Sequence, residues 1–280
     1  MPIANNPVLR CDRAKLRAVP LICLFLILGA SPSLHAQKDS SDKTGTNPIN
    51  FTFDARFYNE YLWLDTAGDG WQNITTFEFR APFAKGKWQL RTRLRGTGLQ
   101  ADFNDDGMDD FDEYGFGDMD IRFLTVPYLN IKKKTALAAG FEIFLPTGAD
   151  DLLSSNAVSF GPQVFGVFFK PLGGFWDLIA PAYQHKFSVY EEDGAGDVHQ
   201  GLIDLFFLKL SGDKKRWVLL DPQGVLDYEN DRQFALFETE LGTLLDKIHP
   251  GHSVYIRPSF GIGADRPYDF SLEVGYKIVW

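Results

Sequence analysis

The sequence predicts an all-β chain: a transmembrane antiparallel β-barrel of about twelve strands, preceded by a secretory signal and a short leader. Three observations predict it. The segment from Asp269 to Trp280 alternates strictly, with Phe270, Leu272, Val274, Tyr276, Ile278 and Trp280 on one face and Ser271, Glu273, Gly275 and Lys277 on the other. Similar segments of roughly ten residues follow one another from Ile49 onward, separated by turn chemistry. Past residue 36 no apolar run reaches the ~18 residues that a membrane-spanning helix needs, and in lipid only helices and closed barrels satisfy every backbone group.

In chain order, residues 1–36 are read as the signal. Arg10, Arg13, Lys15 and Arg17 form a basic start, Leu21 to Leu28 an apolar stretch too short to span a bilayer, and Ala36 a small residue suited to cleavage before Gln37. Both cysteines, Cys11 and Cys23, fall inside it, so the exported chain is expected to be free of disulfides. Removing those four basic residues and Asp12 turns the balance of 28 basic and 37 acidic residues into 24 against 36, a net charge of −12. That surface excludes nucleic acid as a partner and suits divalent cations. Residues 37–48 are polar, small and without periodicity, a flexible leader. The barrel is expected over 49–280.

Strands are expected at 49–64, 74–83, 88–101, 116–129, 135–145, 158–171, 178–190, 202–211, 216–226, 233–245, 253–263 and 269–280. With the N-terminus in the periplasm, the connections at 84–87, 130–134, 173–177, 212–215 and 246–252 become periplasmic turns. Those at 65–73, 102–115, 146–157, 191–201, 227–232 and 264–268 become outer loops, mostly longer and richer in Asp, Glu and Gly. Trp88, Trp176, Trp217 and Trp280 then mark one interfacial girdle, and Trp63 and Trp71 the other. A soluble β-sandwich is the competing fold, and Pro162, Pro181, Pro222 and Pro258 inside the strands favour it unless bulges or shifted boundaries absorb them.

Two constellations could carry chemistry. Asp102 to Glu113 fits the calcium-loop template D-x-[DN]-x-[DN]-G-x5-E: Asp102, Asn104, Asp106, the Met108 carbonyl, Asp110 and Glu113 would supply oxygens around a turn at Gly107. Asp109 replaces an aliphatic residue, and strands instead of helices flank the loop, so any calcium affinity would be weak; the plain alternative is a solvated acidic hairpin tip among divalent-bridged anionic lipids. The second is a lumen-facing ladder. Arg91, Arg93 and Arg95 share one face of the third strand, Asp118, Asp120 and Arg122 one face of the fourth, with Glu142 on the fifth. Arg93 or Arg95 can pair with Asp118 or Asp120 across the hairpin, giving either a selectivity constriction or a structural plug. No catalytic residue is expected: among His185, His199, His249 and His252 there is no HExxH, the chain has no GxSxG or phosphate loop, and His185 and Ser188 lie on opposite strand faces.

The run Tyr114-Gly115-Phe116-Gly117-Asp118-Met119-Asp120, the apolar strand from Ala136 to Leu145 ending in Pro146-Thr147-Gly148, and the later Gly161-Pro162 resemble the outer-membrane transporters grouped under the meta-pathway of phenol degradation. The resemblance implies a barrel for passive uptake of small hydrophobic or aromatic solutes in a bacterial outer membrane. A non-conducting barrel with a salt-bridged interior is the alternative. The aromatic end of the last strand, Tyr276 with Trp280, also resembles the signal read by the barrel-insertion machinery, so the expected partners are outer-membrane lipid, that machinery and a small solute.

Overall fold

A computed structural model describes residues 44–64, 70–101, 111–191 and 196–280. The expected signal, residues 37–43 of the leader, and Asp102, Asn104, Asp106, Met108 and Asp110 of the calcium-type loop lie outside the described residues.

The strands are β1 (Asp54–Leu64), β2 (Gly70–Phe83), β3 (Trp88–Ala101), β4 (Phe111–Phe116), β5 (Met119–Asn130), β6 (Thr135–Leu145), β7 (Ala157–Phe169), β8 (Leu178–Glu191), β9 (His199–Leu210), β10 (Arg216–Asp227), β11 (Arg232–Leu244), β12 (His252–Ile262) and β13 (Tyr268–Val279). Each pairs antiparallel with its neighbours, and β1 pairs with β13 from Asp54↔Val279 to Leu64↔Tyr268, which closes the sheet. Both β4 and β5 pair with β3, along its outer and inner halves, so together they form one stave interrupted at Gly117-Asp118. The result is a closed barrel of twelve staves. Most strands run 11 to 14 residues, beyond the ~9–11 that a tilted membrane strand requires.

The two faces of the wall are inverted relative to a soluble core. Lys277, Asp120 and Glu240 point inward and are almost fully buried, while Phe57, Val274 and Ile203 point outward and are more than half exposed. Phe83, Phe123, Phe141, Phe160 and Phe187 form an outward row of successive ring contacts across β2 and β5–β8. This alternation rules against the sandwich, whose apolar faces would meet one another.

The four prolines are absorbed differently from expectation. At each, the register stays continuous: Pro162 still opposes Phe141, Pro181 opposes Leu205, Pro222 opposes Phe237 and Pro258 opposes Leu272. The ladder is interrupted only on the other flank, as between Phe160↔Phe187 and Gln163↔Gln184. An antiparallel residue donates its N–H to one neighbour only, so a missing N–H need disturb one flank and no bulge is required. A register shift does occur beside Pro127, between Thr125 and Tyr128.

Two other expectations are corrected. The first strand begins at Asp54, not at residue 49, and residues 44–53 instead enter the lumen: Gly45 O accepts from Arg56 Nη2 (2.6 Å) and Arg80 Nη2 (3.0 Å), both inward-facing. Trp217 is not a girdle residue. It points inward, 2% exposed, over Gly242, where a Cβ would sit 2.0 Å from its ring. It belongs to an apolar layer with Ala136, Val167, Leu178, Leu208 and Tyr255 that fills the lumen at the short-turn end, and Ile49 and Phe51 pack against this layer and its neighbour around Leu124 and Phe165.

Candidate functional site

Above that floor the lumen becomes ionic. On the β3–β6 wall Asp120, fully buried, receives Arg93 Nε (2.9 Å), Arg95 Nη2 (2.5 Å) and Arg91 Nη2 (3.4 Å). Glu142 receives Arg93 Nη2 (3.0 Å), Gln184 Nε2 (3.1 Å) and Arg91. Alternation delivers these groups to one face, and the register Arg93↔Asp120 and Arg122↔Glu142 brings them within reach. Of the residues expected in the ladder, Arg91, Arg93, Arg95, Asp120 and Glu142 are brought together, and Arg122 and the Asp118 carboxylate stay outside the paired set. Arg122 sits opposite Arg91 on one side, and Glu142 on its other side is already shared by three donors; among the described residues Arg122 has no ion pair, and its Nε no hydrogen bond.

Asp118 takes a different role from the one anticipated. Its carboxylate accepts from Gly148 N (3.1 Å), Ser154 Oγ (2.9 Å) and Ser155 N (2.7 Å), so it holds the loop between β6 and β7 instead of an arginine; only its backbone carbonyl receives Arg95. Thr147 Oγ1 accepts from Met119 N (3.0 Å) and lies 3.3 Å from Gly117 O, and Ala149 N donates to Phe116 O. The Gly-x-Gly-Asp and Pro-Thr-Gly segments, about thirty residues apart in sequence, are thus the two halves of one clasp. The clasp takes the place of ladder hydrogen bonds at the strand interruption, and Ala149 and Leu153 lie against Gly115, where a Cβ would clash at 2.9 Å.

Elsewhere around the lumen, three ionic centres appear that sequence reasoning did not select. Lys277 Nζ donates to Glu240 Oε1 (2.9 Å) and lies over the rings of Tyr255 (4.7 Å) and Trp217 (4.9 Å). Glu240 also receives Trp217 Nε1 (2.6 Å) and Arg257. Arg80 Nε reaches Asp54 at 2.6 Å, and Arg56 lies 3.3 Å from Glu78. Third, Asp204 on β9 opposes Gln223 on β10, two residues from Asp221, so the two carboxylates are diagonal neighbours on the inner face, and neither has an ion pair among the described residues. The available signal was a lone acid at an inward position of an apolar strand, as in LIDLFFL from Leu202 to Leu208; what it faces depends on strands far away in sequence.

These walls enclose a cavity of about 450 Å³, within the roughly 300–1,000 Å³ of small-molecule sites. Arg91, Arg93, Arg95, Arg122 and Glu142 line one side, Asp204, Asp221, Glu238 and Glu273 the other, and Tyr58, Phe165, Phe206 and Tyr255 supply ring surface. Of the calcium-type set, Glu113 alone is described; it sits on β4 opposite Leu99.

No family model and no curated protein matches the sequence. Solved structures do match in fold. An outer-membrane channel from Pseudomonas putida F1 superposes with a TM-score of 0.64 at 12% identity, covering 84% of this chain and 99% of that one. The NanC porin gives a TM-score of 0.52 and the KdgM porin 0.51, each at 10% identity over 81% of this chain and at least 98% of the other. At such identities the likeness is one of fold, and it is the fold of outer-membrane channel barrels.

Proposed function

We propose that the chain is an outer-membrane channel for small solutes with a ring or other apolar body and charged ends. One observation carries this reading: the lumen holds a cavity whose ring surfaces and opposed ionic walls are aimed at its interior, while the outer wall is apolar. Structural neighbours that are channels and porins, and not enzymes, support the same direction. The arginine side, Arg91, Arg93, Arg95 and Arg122 against Asp120 and Glu142, would act as the selectivity element, since four guanidiniums face two carboxylates there. The phenol-pathway resemblance supports an aromatic body for the solute. The outward face of β13 would contact lipid, and its aromatic end would engage the insertion machinery.

A second reading is favoured by a specific feature. The apolar floor with Ile49 and Phe51 suits a non-conducting barrel with a structural or surface role. Single-channel recording in planar bilayers separates the two: resolved conductance steps are expected, and none at any voltage or pH would remove the channel reading.

A further inference from the structure

The unpaired polar atoms around the cavity are sorted by chemistry. On the side formed by β3, β5 and β7, the buried atoms without a partner are donors: Arg91 Nε, Arg122 Nε and Gln163 Nε2. On the side formed by β9 and β10 they are acceptors: Asp204 Oδ1 and Asp221 Oδ1. Arg56 Nε on β1 and Glu273 Oε1 on β13 also lack a hydrogen bond, but the first is within ion-pair distance of Asp54 and Glu78 and the second of Arg257. Gln163 is 8% exposed and Asp221 6%, so neither can turn to bulk water. The charges divide the same way. Among the described residues, four arginines stand with Asp120 and Glu142 on the first side, while on the second Glu238, Glu240 and Glu273 share Arg257 and Lys277 and Asp204 and Asp221 have no ion pair.

A buried polar group without a partner costs ~1–3 kcal/mol, more if charged. Water can satisfy such groups one by one, and it does not account for their separation into a donor wall and an acceptor wall. A solute that carries an anionic and a cationic end on one body satisfies both walls together. The placement of Asp204 and Asp221 as diagonal neighbours on β9 and β10 adds to this: two carboxylates are acceptors only, so one cationic group between them serves both. We infer that the luminal cavity is a binding station for a small zwitterion, its carboxylate received by Arg122 and Gln163 and its ammonium by Asp204 and Asp221.

This inference rests on the channel reading only for its role in permeation. It is tested on the full barrel in lipid nanodiscs by calorimetry with L-phenylalanine, phenylacetate and 2-phenylethylamine, which share a ring and differ in their charged ends. L-phenylalanine should bind about tenfold or more tightly than either single-ended compound, the loss expected for one charge-assisted hydrogen bond. Arg122→Gln should bring L-phenylalanine down towards 2-phenylethylamine, and Asp204→Asn with Asp221→Asn towards phenylacetate. Gln163→Leu, which removes an uncharged donor, should weaken the two carboxylates and spare the amine; it keeps the test decisive if a charge variant fails the gel-mobility check for a folded barrel. Equal binding of the three compounds, no saturable binding, or unchanged ranking in the folded variants would overturn the inference. Conductance measured in parallel separates the two readings. A conducting barrel without zwitterion preference overturns the site and leaves the channel, whereas saturable zwitterion binding without conductance supports the site and overturns the channel.

Discussion

The lumen has two levels built on opposite principles. At the short-turn end Trp217, Leu208, Val167 and Leu178 close on Ile49, and Glu240, which borders this floor, is shared by Lys277, Trp217 and Arg257. At mid-height the cavity leaves donors and acceptors open. An apolar level packed on itself resists change, and a level with open donors and acceptors can take a guest; on the proposed reading the first closes the lumen and the second selects.

The sharpest way to break that comparison is to delete one carboxylate from each level. Lys277 is 0% exposed, so Glu240→Ala leaves a buried ammonium without its carboxylate and should cost about 3–5 kcal/mol. Asp120→Ala also removes a fully buried carboxylate. The Arg93 and Arg95 side chains it leaves are 23% and 22% exposed towards the cavity, and Glu142 still holds Arg93, so a loss of about 2–3 kcal/mol is expected. Denaturant unfolding in micelles, followed by tryptophan fluorescence, measures both. A greater loss for Asp120→Ala would reverse the assignment of packed and open levels.

The next test addresses the chain inside the floor. Deleting residues 37–48 removes the Gly45 carbonyl from Arg56 and Arg80 and clears Thr46 and Pro48 from the cavity lining. Both arginines keep Asp54 and Glu78, so the stability cost should be only about 1–2 kcal/mol. Single-channel conductance should rise. Unchanged conductance would mean that this segment does not restrict the path.

What the sequence made legible follows from periodicity. Alternation in Phe270 to Lys277 marked the inner and outer faces of the last strand, and closure against the first strand followed from the same pattern. The arginine ladder was legible because its partners lie on strands adjacent in sequence: Arg93↔Asp120 is one connection away. Lys277 and Glu240 were not, because neither β11 and β13 nor their residues are neighbours in the sheet, and the contact is made across curvature that periodicity does not encode. Trp217 was misplaced because an aromatic near a strand end reads as interfacial; the space that draws it inward is created by Gly242 on the neighbouring strand. Residues 44–53 carry no period because they form no strand, and their place is set by carbonyls and two apolar side chains.

The clasp at Asp118 supplies the smallest expected effect and the one most specific to the rim. Asp118→Ala removes the acceptor of Gly148 N, Ser154 Oγ and Ser155 N together, and Thr147→Val removes the acceptor of Met119 N. Arg95 would be undisturbed, since it uses the Asp118 carbonyl and the Asp120 carboxylate. Ser155 N and Gly148 N can turn to water once released, so global unfolding should shift by no more than about 1 kcal/mol, the net worth of one ordinary hydrogen bond. Amide exchange should instead accelerate over residues 147–156, with β3 and β6 unaffected. Acceleration spreading into β3 would show that the interrupted stave depends on the clasp for its pairing. Confinement to the loop would show that the Gly-x-Gly-Asp and Pro-Thr-Gly segments fasten a movable rim to a barrel whose selective level is already complete without it.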